Sequence, residues 1–367
     1  MYHNLPKQTL ECFFENCINK EVILFGRKKG LDKDTLPFLK QNNIKIKSIL
    51  DNNAEIWGDF EGIQTLSPLS LYSENPEKIV ILITSGSGFC LEIYKYIMDI
   101  DEKFNIFFWN VLSDKKNSEI SVNLFENYEK IKSVEALFAD NTSKMIYRNI
   151  INRRIIGYDV FSDLMIKTDT QYLLPEMYKK MNPSEVIIDC GAYNGDSIKK
   201  FSRFFGDNLK KVYAVEASAE NLKLLNKVTV PNVEIEVIPY GLSDKSGRCE
   251  FWEYENQTSD NCISKKSEDF KISRTIEIEL RSIDEIIPED ADITLIKMDI
   301  EGEEYNSLIG AFKTIERCLP RLAISIYHSA EDYYRIPLLL FERFPEYKFA
   351  LRHHTRHFFD TILYAWI

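Results

Sequence analysis

Two acidic turns that contain glycine each follow an apolar, strand-like segment. The first turn reads Asp189-Cys-Gly-Ala-Tyr-Asn-Gly-Asp196, and the second reads Asp299-Ile-Glu-Gly-Glu-Glu304. In a parallel sheet, ligands bind outside the carboxyl ends of the strands, so both turns are expected to open into one cleft. Carboxylates in that cleft repel phosphate and attract hydroxyl groups or a cation. The turns therefore predict a site for a cationic nucleoside.

S-adenosylmethionine has this chemistry, because it carries a sulfonium, an ammonium and a ribose but no phosphate. Glu216 ends the next apolar segment, at a position where a carboxylate can accept hydrogen bonds from ribose hydroxyls. Gly191 and Gly195 allow the backbone to approach a ligand closely, and the spacing of Ile198, Phe201 and Phe205 predicts an amphipathic helix directly after them. The turn from Pro239 to Asp244 can cover an adenine ring, although an ordinary loop explains it equally well. These residues favour a methyltransferase.

Composition limits the other classes of function. The net charge of -11 argues against nucleic acid as the main partner, because phosphate binding needs a basic face. The 7 cysteines are scattered and lack the spacing of a metal site, which is typical of reduced thiols in the cytoplasm. Apolar runs have the length of strands and fall short of the roughly 20 residues that span a membrane. We expect a cytoplasmic protein without a transmembrane segment.

Strand and helix patterns divide the 367 residues into three parts. Residues 1–113 alternate strands and helices and predict a small Rossmann-like α/β domain. Residues 114–181 have helical periodicity and are expected to form a linker or cap. Residues 182–367 predict five parallel strands and a closing antiparallel hairpin, with expected strands at Val186–Asp189, Lys211–Glu216, Val233–Pro239, Ile293–Asp299, Arg321–Tyr327, Lys348–Arg352 and Thr361–Ile367.

The role of the first domain stays open at this level. Its turn Phe25-Gly-Arg-Lys-Lys-Gly30 is basic, so phosphate or a nucleotide sugar can bind there. Docking, homo-oligomer formation or presentation of the substrate explains the domain equally well. We expect acceptor specificity to depend on the helical segment and on the loop Asn256–Lys271.

An ordered set of motifs extends the interpretation. DxGAxxGD, VEAS, IPxGLSD, IKMDxEGxEY, SIYH and LRHH follow one another from Glu185 to the terminal ILYA strand. This set resembles the FkbM family of S-adenosylmethionine-dependent methyltransferases. The resemblance implies a class I methyltransferase fold and O-methylation of a sugar hydroxyl or a related natural product. We expect a glycan precursor of bacterial surface polysaccharide biosynthesis as the acceptor. Tyr193 and the pair Ala217-Ser218 depart from the frequent family pattern.

The resemblance also implies roles for individual residues. Asp189, Gly191 and Gly195 would line the amino acid end of the donor, and Glu216 would hold its ribose. The full expected donor site comprises Asp189, Gly191, Ala192, Tyr193, Asn194, Gly195, Asp196, Glu216, Ala217, Gly241, Leu242, Ser243 and Asp299. The expected acceptor site comprises Glu301, Tyr172, His353 and His354.

The proton of an acceptor hydroxyl needs a base. His328 is the preferred candidate and Asp299 the second, although a structural histidine at a strand end explains His328 about as well. We expect His328→Ala to retain donor binding and lose turnover. Asp299 and Glu301 can also hold a divalent metal ion, because oxygen ligands suit magnesium. Activity that is insensitive to EDTA would count against the metal.

Two other functions remain as alternatives. A nicotinamide-dependent sugar oxidoreductase would need a complete GxGxxG motif, and the first domain offers only Gly26 and Gly30. A binding protein without catalysis would keep the nucleoside pocket, and a release assay for S-adenosylhomocysteine distinguishes it from an enzyme.

Overall fold

The computed structural model describes residues 5–27, 31–158, 161–166, 170–179, 181–254 and 272–367. The chain divides into two compact units. The first unit contains Met1–Ile131 and Tyr147–Phe161, and the second contains Lys132–Ile146 and Ser162–Ile367. Among the described residues, no helix is long and apolar enough to cross a bilayer.

The first unit is built on a parallel sheet of five strands in the order β3-β2-β1-β4-β5. The central strands are almost entirely apolar, as expected for strands that are buried on both faces. The strands are β1 Glu21–Phe25, β2 Ile46–Leu50, β3 Thr65–Leu66, β4 Ile79–Ile83 and β5 Asn105–Phe108. The helices are α1 Leu10–Cys17, α2 Thr35–Gln41, α3 Ala54–Trp57, α4 Cys90–Ile100, α5 Trp109–Leu112 and α6 Lys115–Glu126.

Two further helices cross the division between the units. They are α7 Tyr128–Leu137 and α8 Asn141–Ile155, and together with α6 they occupy much of the segment for which helical structure was predicted. A 3₁₀ turn at Pro175–Tyr178 follows before the second unit's first strand.

The second unit contains a sheet of seven strands in the order β14-β15-β13-β12-β6-β7-β8. Five strands are parallel, and the last two form an antiparallel hairpin beside them. The strands are β6 Glu185–Cys190, β7 Leu209–Val215, β8 Glu234–Ile238, β12 Leu295–Met298, β13 Arg321–Ser325, β14 Lys348–His353 and β15 Thr361–Trp366. This arrangement confirms the predicted fold class.

The strand order of this sheet reverses between β6 and β12. Strands β7 and β8 continue to one side of β6, whereas β13 follows on the other side of β12. Such a switch point opens a crevice at the carboxyl ends of the strands. Asp189 lies at the end of β6 and Asp299 directly after β12, so the topology brings the two acidic turns together.

Helices pack on this sheet and position its turns. Helix α9 buries Ile198, Phe201 and Phe205 in the hydrophobic core, as its periodicity predicted. The helices of this unit are α9 Asp196–Phe205, α10 Ala219–Leu225, α11 Ile283–Ile286, α12 Glu304–Ile309, α13 Phe312–Cys318 and α14 Asp332–Arg343.

A smaller sheet of three strands was not predicted from the sequence. It contains β9 Gly241–Leu242, β10 Gly247–Tyr254 and β11 Ile272–Arg281, in the order β10-β11-β9. Strands β10 and β11 pair antiparallel and alternate charged with apolar side chains. The loop Asn256–Lys271, expected to influence specificity, lies outside the described residues, as do Lys28–Gly30 of the basic turn.

Candidate active site

The turn after β6 has an unusual backbone. Gly191, Tyr193 and Gly195 all have positive φ angles, of 76°, 49° and 80°. A Cβ atom at Gly191 would collide with the backbone oxygen of Asp299, and one at Gly195 would collide with Val228. Glycine is therefore required at both positions for close packing, and the turn delivers the chain to the start of α9.

Asp189 lies beneath this turn rather than at its surface. Its side chain is fully buried, and Oδ2 accepts a hydrogen bond from the Ser197 hydroxyl. Its Oδ1 lies 3.1 Å from Nζ of Lys297, which is aligned with Asp189 across the β6–β12 pair. Asp189 is thus paired with a cation inside the protein. Through its contacts with Lys297 and Ser197 it stabilises the turn that borders the cleft.

Lys297 connects the two acidic turns. Its Nζ donates hydrogen bonds to the backbone oxygens of Cys190, at 3.2 Å, and Gly191, at 2.7 Å. Burial opposes its charge, but the carboxylates of Asp189 and Asp299 outweigh that effect and raise the pKa of Lys297. The side chain therefore remains an ammonium and balances both carboxylates.

Glu216 follows β7 at the same edge of the sheet. Its Oε2 accepts the Tyr193 N–H at 2.9 Å, and its Oε1 accepts the Ser218 N–H at 2.8 Å and the Asn221 amide at 3.4 Å. Burial raises the pKa of Glu216 despite these donors. A carboxylate offers about four acceptor positions, so Glu216 retains capacity for a ribose hydroxyl.

The other residues expected at the donor site differ in how far they are exposed to solvent. Ala192 is buried, whereas Asn194 and Ala217 are partly exposed and Asp196 is exposed at the start of α9. Gly241 and Leu242 are buried in β9, and the N–H of Ser243 donates to the backbone oxygen of Arg281 at 3.1 Å.

Asp299 begins the second acidic turn, directly after β12. Its Oδ2 accepts a hydrogen bond from the Tyr172 hydroxyl at 2.6 Å, and its Oδ1 accepts one from the Tyr327 hydroxyl at 3.2 Å. Burial opposes ionisation, but the charges of His328 and Lys297 outweigh it and lower the pKa of Asp299. An ionised carboxylate is therefore fixed at the carboxyl end of β12.

His328 lies among three carboxylates. Its Nδ1 is 3.0 Å from Glu304, and its Nε2 is 3.4 Å from Glu301 and 3.6 Å from Asp299. Burial opposes protonation, but Glu304 and Glu301 outweigh it and raise the pKa of His328 well above its ordinary value. These contacts favour an imidazolium, which has no lone pair to accept a proton. The assignment of His328 as the base stays a prediction, and its surroundings do not favour it.

The two histidines expected to bind the acceptor are fully buried. His353 Nδ1 lies 2.9 Å from the Thr361 hydroxyl, and His354 Nε2 lies 2.9 Å from the Tyr364 hydroxyl. The Tyr364 hydroxyl also accepts the Tyr172 N–H at 3.0 Å. In this structure the two histidines stabilise the β14–β15 hairpin and the segment that carries Tyr172.

The carboxylates also raise the question of a metal ion. Ligand atoms of Asp299, Glu304 and His328 lie within 4.8 Å of one another, a set that differs from the expected pair of Asp299 and Glu301. Both oxygens of Glu304 already accept backbone N–H groups, from Ile300 at 2.8 Å and Gly302 at 3.1 Å. These bonds and the imidazolium give the cluster internal partners, so we assign no metal to it.

Several residues of the site were not identified from the sequence. Ser197 and Tyr327 bond to aspartates of the acidic turns, but the sequence motifs gave them no role. Glu304 belongs to the second turn, but its hydrogen bonds to the backbone of that turn were not predicted. For Lys297 a signal existed, because it lies two residues before Asp299 on the same face of a strand. Its partner on β6, Asp189, was not identified from the sequence.

We predict a pH-dependent loss of stability for His328→Gln. The raised pKa of His328 means that its stabilising charge is fully present below the unfolded-state pKa of about 6.5 and is lost as the pH rises through the folded-state pKa. We expect the variant to lose about 1–3 kcal/mol of unfolding free energy at pH 6 and progressively less at alkaline pH. Urea unfolding across this pH range measures the difference. The exposed His357→Gln is the control, and a deficit that does not change with pH would contradict the prediction.

Comparisons with known proteins agree with this geometry. Residues 189–353 match the family model described as the methyltransferase FkbM domain. The crystal structure of methyltransferase FkbM from Methylobacillus flagellatus KT has a TM-score of 0.57 and 20% sequence identity, and the similarity covers 95% of this chain and 90% of that one. No curated protein sequence matches this chain.

Two other solved structures share parts of the fold at lower similarity. Fibrillarin from Aeropyrum pernix, in complex with natively bound S-adenosyl-L-methionine, has a TM-score of 0.31 and 11% identity, covering 53% of this chain and 72% of that one. A SAM-dependent methyltransferase from Aquifex aeolicus has a TM-score of 0.30 and 16% identity, covering 55% and 94%. These two similarities are too low to support an inference.

The fold and the family match point to the same class of domain. Residues 189–353 match a methyltransferase domain, and the second unit has a parallel sheet with an acidic crevice at its switch point. More specifically, the matching domain model is that of the FkbM methyltransferases.

Proposed function

We propose that this protein transfers a methyl group from S-adenosylmethionine to a hydroxyl of a sugar or glycan precursor. The observation that carries the proposal is the composition of the crevice beyond Asp299, where hydrogen-bond acceptors and aromatic rings lie together. Asp299 and Glu301 provide carboxylates there, and Tyr327 and Phe359 provide rings with centroids 6.2 Å apart. Carboxylates bind hydroxyl groups, and aromatic faces pack against the apolar side of a sugar ring.

The donor binds, in this proposal, across the turns that follow β6 and β7. The turn from Gly191 to Gly195 receives the amino acid end, while Glu216 accepts hydrogen bonds from the ribose. The sulfonium then lies toward Asp299, whose ionised carboxylate stabilises a nearby positive charge. Gly241 and Leu242 in β9, and Ser243 directly after them, support the adenine side.

Glu301 and Tyr172 belong to the acceptor side in this proposal. The Glu301 side chain retains 28% of its accessible surface, so it can meet a ligand. Tyr172 is buried and acts through its hydrogen bond to Asp299. The transfer is an in-line displacement, so alignment of the hydroxyl oxygen with the methyl group removes much of the barrier.

Donor binding can be tested by calorimetric titration. We expect heat with S-adenosylmethionine and S-adenosylhomocysteine and none with NADH. We predict that Glu216→Gln weakens donor binding about 10- to 100-fold, because charge-assisted hydrogen bonds contribute about 1.5–3 kcal/mol. The exposed Glu220→Gln, on α10, is the matched control. Heat with NADH alone would contradict the donor assignment and favour the oxidoreductase alternative.

Acceptor chemistry can be tested with a panel of methyl glycosides, nucleotide sugars and amines. The enzyme is incubated with S-adenosylmethionine, and mass spectrometry detects a product heavier by one methylene group. We expect a methyl ether on a sugar hydroxyl. Methylation confined to the amines would overturn the proposed acceptor class but not the methyltransferase assignment.

A further inference from the structure

We propose that the carboxylate of Asp360 accepts the proton of the acceptor hydroxyl during methyl transfer. The inference rests on the proposed function, and it assigns a catalytic residue that the sequence motifs did not identify. Asp360 lies in the loop between β14 and β15 and is partly exposed. The preferred base, His328, and the second candidate, Asp299, are both less suited to the role.

The fold places Asp360 at the carboxyl edge of the parallel strands. Strand β15 runs antiparallel to β13, so its first residues lie beside the last residues of β13. The Ile326 N–H donates to the backbone oxygen of Thr361 at 3.0 Å. Because Thr361 follows Asp360 and Ile326 precedes Tyr327, this bond holds Asp360 close to Tyr327 along the two strands. Asp360 therefore lies at the edge where Asp299 and Tyr327 also lie.

Hydrogen bonds within the loop hold the backbone at Phe359 and Asp360. The His354 N–H donates to the backbone oxygen of Asp360 at 3.1 Å, and the Thr355 hydroxyl donates to that of Phe359 at 2.8 Å. Asp360 has a positive φ of 54°, and Phe359 is 47% exposed beside it. The loop thus presents an aromatic ring and a carboxylate next to each other.

A relay of polar groups connects Asp360 with Asp299. The side chain of Gln171 lowers the pKa of the Asp360 carboxyl, and the Gln171 amide nitrogen lies 3.2 Å from the Tyr172 hydroxyl. The Tyr172 hydroxyl donates to Asp299. Lys200 Nζ donates to the Gln171 amide oxygen at 3.1 Å, which orients the amide nitrogen toward its acceptors. Gln171 and Tyr172 therefore link the surroundings of Asp360 to Asp299.

Charged groups from several elements act on Asp360. They are Asp299 after β12, His328 after β13 and Lys200 on α9. The charge of Asp360 in turn contributes to the raised pKa values of Tyr172, Tyr327 and Tyr364. Burial raises the pKa of Asp360 to about 6, and Asp299 adds to that effect against Lys200 and His328. A base with a pKa close to the working pH combines ionisation with proton affinity.

The other two candidates lack this combination. Contacts with Glu304 and Glu301 keep His328 protonated, and Asp299 has a lowered pKa and accepts two tyrosine hydroxyls. In the proposed step, the hydroxyl oxygen attacks the methyl carbon, a C–O bond forms and the C–S bond breaks. The electron pair of that bond remains on sulfur, giving neutral S-adenosylhomocysteine, and the hydroxyl proton moves to Asp360 and then to water.

A titration that needs no acceptor tests the location of Asp360. Protein with isotope-labelled aspartate is titrated by NMR, and the Asp360 carboxyl is assigned from the spectrum of Asp360→Asn. We expect its pKa to be lower by about one in the S-adenosylmethionine complex than in the S-adenosylhomocysteine complex, because only the former places a sulfonium nearby. Identical pKa values in the two complexes would overturn the proposal.

Kinetics then test the catalytic role, with the best hydroxyl acceptor from the panel. We expect Asp360→Asn to lower kcat about 100-fold, to retain donor affinity and to lose the acidic limb of the kcat–pH profile. Asp360→Glu should recover part of kcat, and Asp290→Asn, an exposed residue before β12, should change nothing. Near wild-type kcat in Asp360→Asn would overturn the proposal. If the wild type methylates no hydroxyl, the proposed function fails, whereas the NMR titration still decides where Asp360 lies.

Discussion

We expect Lys297→Met to lower the free energy of unfolding by about 3–5 kcal/mol, because it leaves a buried charge without its partner. Asp189 is fully buried and has Lys297 as its cation, so the methionine variant must either keep an isolated carboxylate or protonate it. The variant also loses two hydrogen bonds to the backbone of the donor turn. Urea unfolding measures the stability, and calorimetric titration with S-adenosylhomocysteine measures the effect on the donor turn.

Two controls separate the buried pair from a general effect of the substitution. Lys211→Met, on the neighbouring β7, removes surface ion pairs with Glu234 and Glu236 and should cost about 1 kcal/mol or less. The double variant Asp189→Asn/Lys297→Met should be more stable than Lys297→Met alone, because no unpaired charge remains. Equal losses for Lys211→Met and Lys297→Met would show that the buried pair has no special role.

We also expect Asp299→Asn to lower kcat about 100- to 1000-fold, the range typical of removing a preorganised electrostatic group. The neutral amide would no longer balance the positive charges of Lys297 and His328. Its nitrogen is a hydrogen-bond donor, so it could not accept the hydrogen bond that one of the two tyrosine hydroxyls now donates to the carboxylate. Steady-state kinetics with a saturating sugar acceptor measure the effect.

Tyr327→Phe provides a graded comparison for this prediction. It removes one hydrogen bond to Asp299 and leaves the charge in place, so its effect on kcat should be much smaller. Asp290→Asn makes the same chemical change at an exposed position and should have none. Wild-type kcat in Asp299→Asn would exclude Asp299 from the transfer site.

The sequence determined much of the second unit. Its apolar runs and the periodicity of α9 predicted the strands and the buried face of that helix, since a buried parallel sheet needs continuous apolar strands. The segments that form β10 and β11 were not recognised as strands from the sequence. They form a sheet because they pair with each other and because β11 pairs with the short β9. A strand of this kind is stabilised by partners distant in the sequence.

The positions of Asp189 and Asp299 at strand ends were determined by the sequence alone, because apolar strand residues directly precede each of them. Their surroundings were decided by tertiary structure. The parallel register of β6 and β12 places Lys297 beside Asp189, so a carboxylate expected to face the ligand is neutralised inside the protein. The order of strands likewise brings Glu304 and Glu301 around His328, and β15 carries Asp360 to the same edge. The protonation state of a side chain depends on the charges around it in space, and residues far apart in the sequence supply those charges.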